Sequence, residues 1–91
     1  MTIDSEKALF ESILRRLTAA QTILLTAIAQ EPTKKLYAAD YMKRHGLKST
    51  GGIQLALDLI AREDLIERRE KTEKWDVVDP LFKQWLQNRA L

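Results

Sequence analysis

Apolar side chains recur at three- and four-residue intervals along most of the chain, and the points where that rhythm breaks predict its elements. Leu9, Phe10, Ile13, Leu14 and Leu17 form one stripe, with Lys7, Glu11, Arg15 and Arg16 on the other faces. Residues 5 to 17 therefore read as an amphipathic helix. Thr18-Ala19-Ala20-Gln21 is a capping-box pattern, in which the hydroxyl and the Gln side chain satisfy reciprocal backbone amides. A second helix thus starts after Thr18 and carries Ile23, Leu24, Ala27 and Ile28. It stops near Glu31, because Pro32 disfavours helical geometry in the residue before it. Leu36-Tyr37 reads as a short extended piece. Ala39 to His45 reads as a short helix, with Gly46 suited to a left-handed C-terminal cap. Leu47 to Thr50 make a tight link, in which Ser49 or Thr50 caps a further helix through about Glu63.

Leu65 to Arg69 and Lys74 to Val78 predict two short strands around a polar turn, Glu70 to Glu73. Asp79-Pro80 supplies an N-cap followed by proline at the first helical position. Leu81, Phe82, Trp85 and Leu86 then line one face of a final helix. Trp75 and Trp85 are both expected to be largely buried, since each supplies a large area to a core. The order helix, helix, helix, hairpin, with a short Gly-containing turn between the middle helices, predicts a mainly α fold with a small β-hairpin. That is a winged helix-turn-helix, here with flanking N- and C-terminal helices. A plain helical bundle would have to ignore Leu65-Ile66 and Trp75-Val77-Val78. The chain divides into an N-terminal amphipathic helix, residues 1–17, and the winged domain, residues 18–91.

At 91 residues there is room for one core, and 45% hydrophobic with 31% charged residues excludes low-complexity and disordered classes. The absence of cysteine removes any disulfide framework, thiolate metal site or thiol nucleophile, and the default compartment is the reducing cytoplasm. No stretch approaches the roughly 20 apolar residues of a membrane span. The first six residues lack the basic and apolar regions of a signal peptide.

Enzymatic readings find little support. His45 is the sole histidine and sits among Lys43, Arg44 and Gly46 at a helix end, where a His interacts with terminal carbonyls or faces solvent. No catalytic residue, metal site or cofactor is expected. Gly46 and Gly51 have the spacing of a phosphate-binding loop, but Gly52 and Ile53 stand where Lys and Ser/Thr are required.

Nucleic-acid binding is tested by where the charge lies. The net charge of +2, with a pI near 9.0, is weakly suggestive. On a helical wheel of about 100° per residue, Ile53, Ala56, Leu57, Ile60 and Ala61 share one face of the fourth helix. Its polar arc holds Gly51, Gln54, Asp58 and Arg62. Gln54 could read adenine, but Asp58 would repel the backbone unless it accepted from cytosine. From Thr50 to Glu63 one base stands against two acids, a net −1. Positive charge collects instead over residues 34 to 48, where Lys34, Lys35, Lys43, Arg44 and Lys48 outweigh Asp40 by four. Lys34, Lys35, Lys43, Arg44, Lys48, Thr50 and Gln54 are the candidate nucleic-acid contacts, for weak binding to double-stranded DNA. Hairpin charges cancel. Leu55 and Leu59 widen the apolar arc of the fourth helix to about two thirds of the wheel. Either the flanking helices or a partner must cover that surface. Internal cover by Trp85, Phe82 and the first helix is the expectation.

From Arg16 to Leu86 the sequence resembles the C-terminal winged-helix region of archaeal-type AAA+/STAND ATPases. The resemblance runs through Leu17-Thr18-x-x-Gln21, Ile23-Leu24-x-x-Ala27-Ile28-Ala29, His45-Gly46-Leu47, Ile53-Gln54-x-Ala56-Leu57-x-x-Ile60 and Asp64-Leu65-Ile66-Glu67. Its most telling piece is Trp75-x-Val77-Val78-Asp79-Pro80-Leu81-Phe82-x-x-Trp85-Leu86. In that family the winged helix follows an ATPase core and its helical lid. The resemblance implies a non-catalytic module of a larger ATP-binding protein, with residues 5 to 17 as the last lid helix. Its partners would be DNA, the ATPase core of the parent chain or a homologous subunit, with no membrane. A free-standing DNA-binding transcriptional regulator and a protein-interaction or oligomerisation module are the alternatives.

Overall fold

Leu24, Leu25, Ala27, Ile28 and Ala29 make a helix that is apolar on almost every side, and such a helix is stable only at the centre of a domain. The computed structural model, which describes residues 2–89 with side chains from Glu6 onward, places it there. In chain order the elements are α1 (Thr2–Arg15), α2 (Ala19–Gln30), α3 (Ala39–His45), α4 (Thr50–Arg62), β1 (Ile66–Arg68), β2 (Trp75–Val77) and α5 (Pro80–Arg89). α2 packs against α3, α4, β2 and α5. β1 and β2 form an antiparallel hairpin in the register Ile66↔Val77 and Arg68↔Trp75, which turns Ile66 and Val77 into the core.

Local chemistry sets the boundaries. Thr18 Oγ1 accepts from the Gln21 N–H at 3.2 Å while Gln21 Oε1 accepts from the Thr18 N–H at 2.9 Å, so both arms of the capping box form. α1 ends at Arg15 rather than Leu17 because Arg16 and Leu17 donate three residues back, tightening the last turn. Gly46 has φ 70° and lets the Leu47 N–H reach the Met42 carbonyl at 2.9 Å. Ser49, not Thr50, caps α4: its Oγ accepts from the Gly52 N–H at 3.0 Å. At the other end of α4, Asp64 takes the left-handed position with φ 58°, and the Leu65 N–H closes on the Ile60 carbonyl at 3.0 Å. That turn shortens β1 to Ile66–Arg68, although Leu65 still accepts from Val78 at 3.1 Å.

Three expectations are corrected. Leu36-Tyr37 is a turn, not an extended piece; Leu36 is buried, and the extended residue of this link is Thr33. Its carbonyl accepts from the Trp75 N–H at 2.8 Å, adding a one-residue third strand beside β2. Leu81 does not join Phe82 and Leu86 in the core but is 52% exposed. Trp75 and Trp85 are half-buried at the core's edge, each ring lying near a guanidinium, Arg68 at 6.0 Å and Arg89 at 5.5 Å. A core this small is closed by smaller side chains, and the indoles cover its margin. α1 joins the core through Phe10, whose ring lies 4.9 Å from Phe82 and 5.5 Å from Trp85.

Two stability predictions follow from the caps. Asp79 Oδ1 accepts from the Leu81 N–H at 2.9 Å at the start of α5, so Asp79→Ala should cost about 1 kcal/mol in urea titration. A Cβ at Gly51 would meet nothing within 4 Å, whereas one at Gly52 would sit 2.9 Å from Ser49 Oγ. Gly51→Ala should therefore stabilise by roughly 0.5–1 kcal/mol in thermal melts, by reducing the entropy of the unfolded chain. Gly52→Ala should give no such gain, because the cap must move.

Candidate functional site

In a helix-turn-helix, the outward side chains of the helix corresponding to α4 reach base edges, and flanking cations hold the phosphates. Ile53, Ala56, Leu57 and Ile60 are buried, leaving Thr50, Gly51, Gln54, Leu55, Asp58 and Arg62 on the solvent side of α4. Leu55 stands at the edge of that arc, beside half-buried Leu59, and is 74% exposed. The expected cover by Trp85, Phe82 and α1 does not occur. Those aromatics pack on Phe10 instead, and only Leu59 is half-buried.

Gln54 is not a free reader. The Tyr37 hydroxyl donates to its Oε1 at 2.7 Å, and its Nε2 donates to Asp58 Oδ1 at 2.9 Å. Recognition of adenine needs both the oxygen and the nitrogen of the amide at once. Here both ends are engaged within the protein, and the row finishes on a carboxylate. Tyr37, in the turn before α3, was not legible as part of this face, because the bond spans 17 residues.

The cations divide into two groups. Lys34 and Lys35 in the α2–α3 link, Lys43 on α3 and Lys48 before α4 are exposed, and among the described residues none has an ion-pair partner. Arg44 is committed elsewhere. Its guanidinium lies 2.7 Å from Glu31 Oε2 and 3.3 Å from Asp40 Oδ2. His45 joins the same carboxylate, Nε2 to Glu31 Oε1 at 2.8 Å, and its ring packs 4.5 Å from that of Tyr41. The Tyr41 hydroxyl donates to the Glu31 carbonyl at 3.0 Å, and burial raises its pKa so that it stays protonated. Glu31, which closes α2, is thus a brace between α2 and α3. In the hairpin Arg69 holds Glu67 at 2.6 Å and the Val77 carbonyl at 3.1 Å, and Lys83 holds Asp76 at 3.0 Å, while Lys71 and Lys74 are exposed and have no ion-pair partner among the described residues.

Hydrogen bonds from Arg44, then from His45, hold the Glu31 carboxyl below its usual 4.5. A depressed carboxylate contributes stability that is present above the ordinary carboxylate pKa and lost as pH falls through the folded value. The stability difference between the protein and Glu31→Gln should accordingly be largest near neutrality and shrink below pH 4.5, as read from urea unfolding across that range. A difference that grew on acidification would contradict the brace.

No curated protein and no solved structure matches the chain. A family model described as "Probable winged helix domain" matches residues 8–88. The match runs from within α1 to within the last turn of α5, so it takes in every core helix and the hairpin. By its sequence match and by its helix–helix–helix–hairpin architecture, the chain belongs to this winged helix domain family.

Proposed function

We propose that the domain is a non-catalytic interaction module of a larger ATP-binding protein of the AAA+/STAND type, acting in the cytoplasm, with α4 facing protein rather than base edges. The observation that carries the reading is Leu55, 74% exposed on the outward side of the helix a DNA reader would use. Burying a leucine side chain contributes about 1.5–3 kcal/mol. A major groove offers it only the thymine methyl, whereas the apolar surface of an ATPase core or a homologous subunit offers a full contact. Asp58, tied to Gln54, adds a charge that phosphates repel. The larger parent is supported by the motif resemblance from Arg16 to Leu86. In this reading α1 is the last lid helix, and the Phe10–Phe82–Trp85 cluster couples it to the winged domain.

A photo-crosslinking amino acid at position 55, used in the cell of origin, tests this directly. The expected product is a protein–protein adduct resistant to nuclease. A nuclease-sensitive adduct would sink the reading and favour the free-standing regulator.

The unpaired Lys34, Lys35, Lys43 and Lys48 favour a second, weaker contact with double-stranded DNA through phosphates. Such binding should be indifferent to sequence and fall with salt at a slope near −0.9 per neutralised phosphate. In fluorescence anisotropy, Lys43→Ala with Lys48→Ala should weaken binding to all duplexes alike and flatten the slope. Arg44→Ala should change the slope least, because its charge is already met by Glu31 and Asp40. Thr50 and Gln54 would contribute little. Nanomolar affinity for a selected sequence at physiological salt, lost on Gln54→Ala alone, would make α4 a reader after all.

A further inference from the structure

A groove of about 240 Å³ lies between α2 and α4, to one side of the face that carries Leu55. Ala20, Ile23 and Leu24 of α2 form one wall, and Leu47, Ile53 and Ala56 form the other. Small side chains keep it open: Ala20 and Ala56 line it, as does Gly52, which the Ser49 cap requires to lack a Cβ. Ile23, 43% exposed, stands at its rim and also borders a second depression of about 380 Å³ farther along α2. Thr26, Ala27 and Gln30 continue along that second depression. The two together follow one stripe of α2 from Ala20 to Gln30, a length of ~15 Å at the helical rise.

The charges at the ends are of one sign. Lys48 lines the first depression, and Arg44 and Arg89 line the second, while among the described residues no carboxylate side chain lines either. Arg44 is partly neutralised by Glu31 and Asp40, so Lys48 and Arg89 carry most of the field. The first depression, up to Ile23, is apolar and concave, which suits an inserted aliphatic side chain and not the convex rail of a duplex backbone, while Thr22, Thr26 and Gln30 make the second more polar.

From this combination we infer that the α2–α4 groove docks an acidic amphipathic segment of a partner protein. The segment is a helix of about three turns, with aliphatic residues entering beside Ile23 and carboxylates meeting Lys48 and Arg89. The inference rests on the interaction-module reading and assigns the partner's chemistry at a surface separate from Leu55.

Three labelled 14-residue helical peptides provide the probe. All share leucines at i, i+3 and i+7, and they differ in carrying Glu, Gln or Lys at the flanking positions. Anisotropy should show the Glu peptide binding at least tenfold tighter than the Gln peptide, with no measurable binding by the Lys peptide. Amide resonances of Ala20, Ile23, Leu47 and Ala56 should shift on titration. Ala20→Phe, which fills the groove from its exposed rim, should reduce Glu-peptide affinity tenfold or more without lowering the melting temperature. Lys48→Glu should lower affinity for the Glu peptide and raise it for the Lys peptide, a reversal that loss of structure would not produce. Equal binding of the three peptides, no binding by any, or groove resonances that respond to a random duplex instead would each overturn the inference. These outcomes leave the Leu55 crosslink free to succeed, whereas a nucleic-acid adduct at Leu55 defeats the broader reading whatever the peptides do.

Discussion

Burial of α2 is the constraint on which the rest of the structure depends, because Leu24, Leu25, Ala27, Ile28 and Ala29 leave that helix little surface that water tolerates. α4 and α5 cover most of it, and the hairpin contributes Val77 from β2. Polar links then hold these covers in place. Gln87 Nε2 on α5 donates to the Ala29 carbonyl at 2.8 Å, and the Tyr41 hydroxyl on α3 donates to the Glu31 carbonyl at 3.0 Å. Both bonds use carbonyls in the last turn of α2 or just beyond it, which a helix cannot satisfy internally. The same helix end that the core must bury is therefore the point from which α3 and α5 are positioned.

This arrangement decides what the remaining surface can do. With α4 pressed on α2 by Ile53, Ala56, Leu57 and Ile60, its outward residues have no choice of orientation, and Leu55 is presented to solvent. The exposure does not come from loose packing, since Ile60 on the opposite face is fully buried. An isolated exposed leucine is ordinary on a protein surface. Leu55 differs because it occupies the face that helix-turn-helix proteins use for contact, beside a hydrogen-bonded Tyr37–Gln54–Asp58 row that restrains its neighbours.

Much of the fold was legible because its punctuation is local. The Thr18–Gln21 box, the Gly46 cap and Asp79-Pro80 each act within three or four residues, and each forms as the sequence implies. The hairpin's alternation was similarly readable, although nothing in the pattern marked Asp64 as the left-handed residue that ends α4. What escaped depends on distant partners. The wheel of α4 revealed an apolar arc wider than a core face, but not that α1 and the aromatics would spend their surface on one another and leave Leu55 open. Thr33 gave no strand pattern, because its pairing with Trp75 is a single bridge fixed by tertiary packing.

Charge was the least transferable part of the sequence reading, for a physical reason. A count over residues 34 to 48 gives +4, and it stops three residues short of Glu31, the group that neutralises Arg44 across 13 positions. Once Glu31 is included, the excess falls to +3, and it is carried by Lys34, Lys35, Lys43 and Lys48 on flexible stems around α3. Lysines so placed can follow a phosphate backbone as point charges, but they lack the rigid fork with which arginine fixes a register. The arginine that could have supplied that fork is instead part of the α2–α3 brace. The domain thus uses its best-placed guanidinium for its own architecture and leaves a leucine exposed on the outward side of α4.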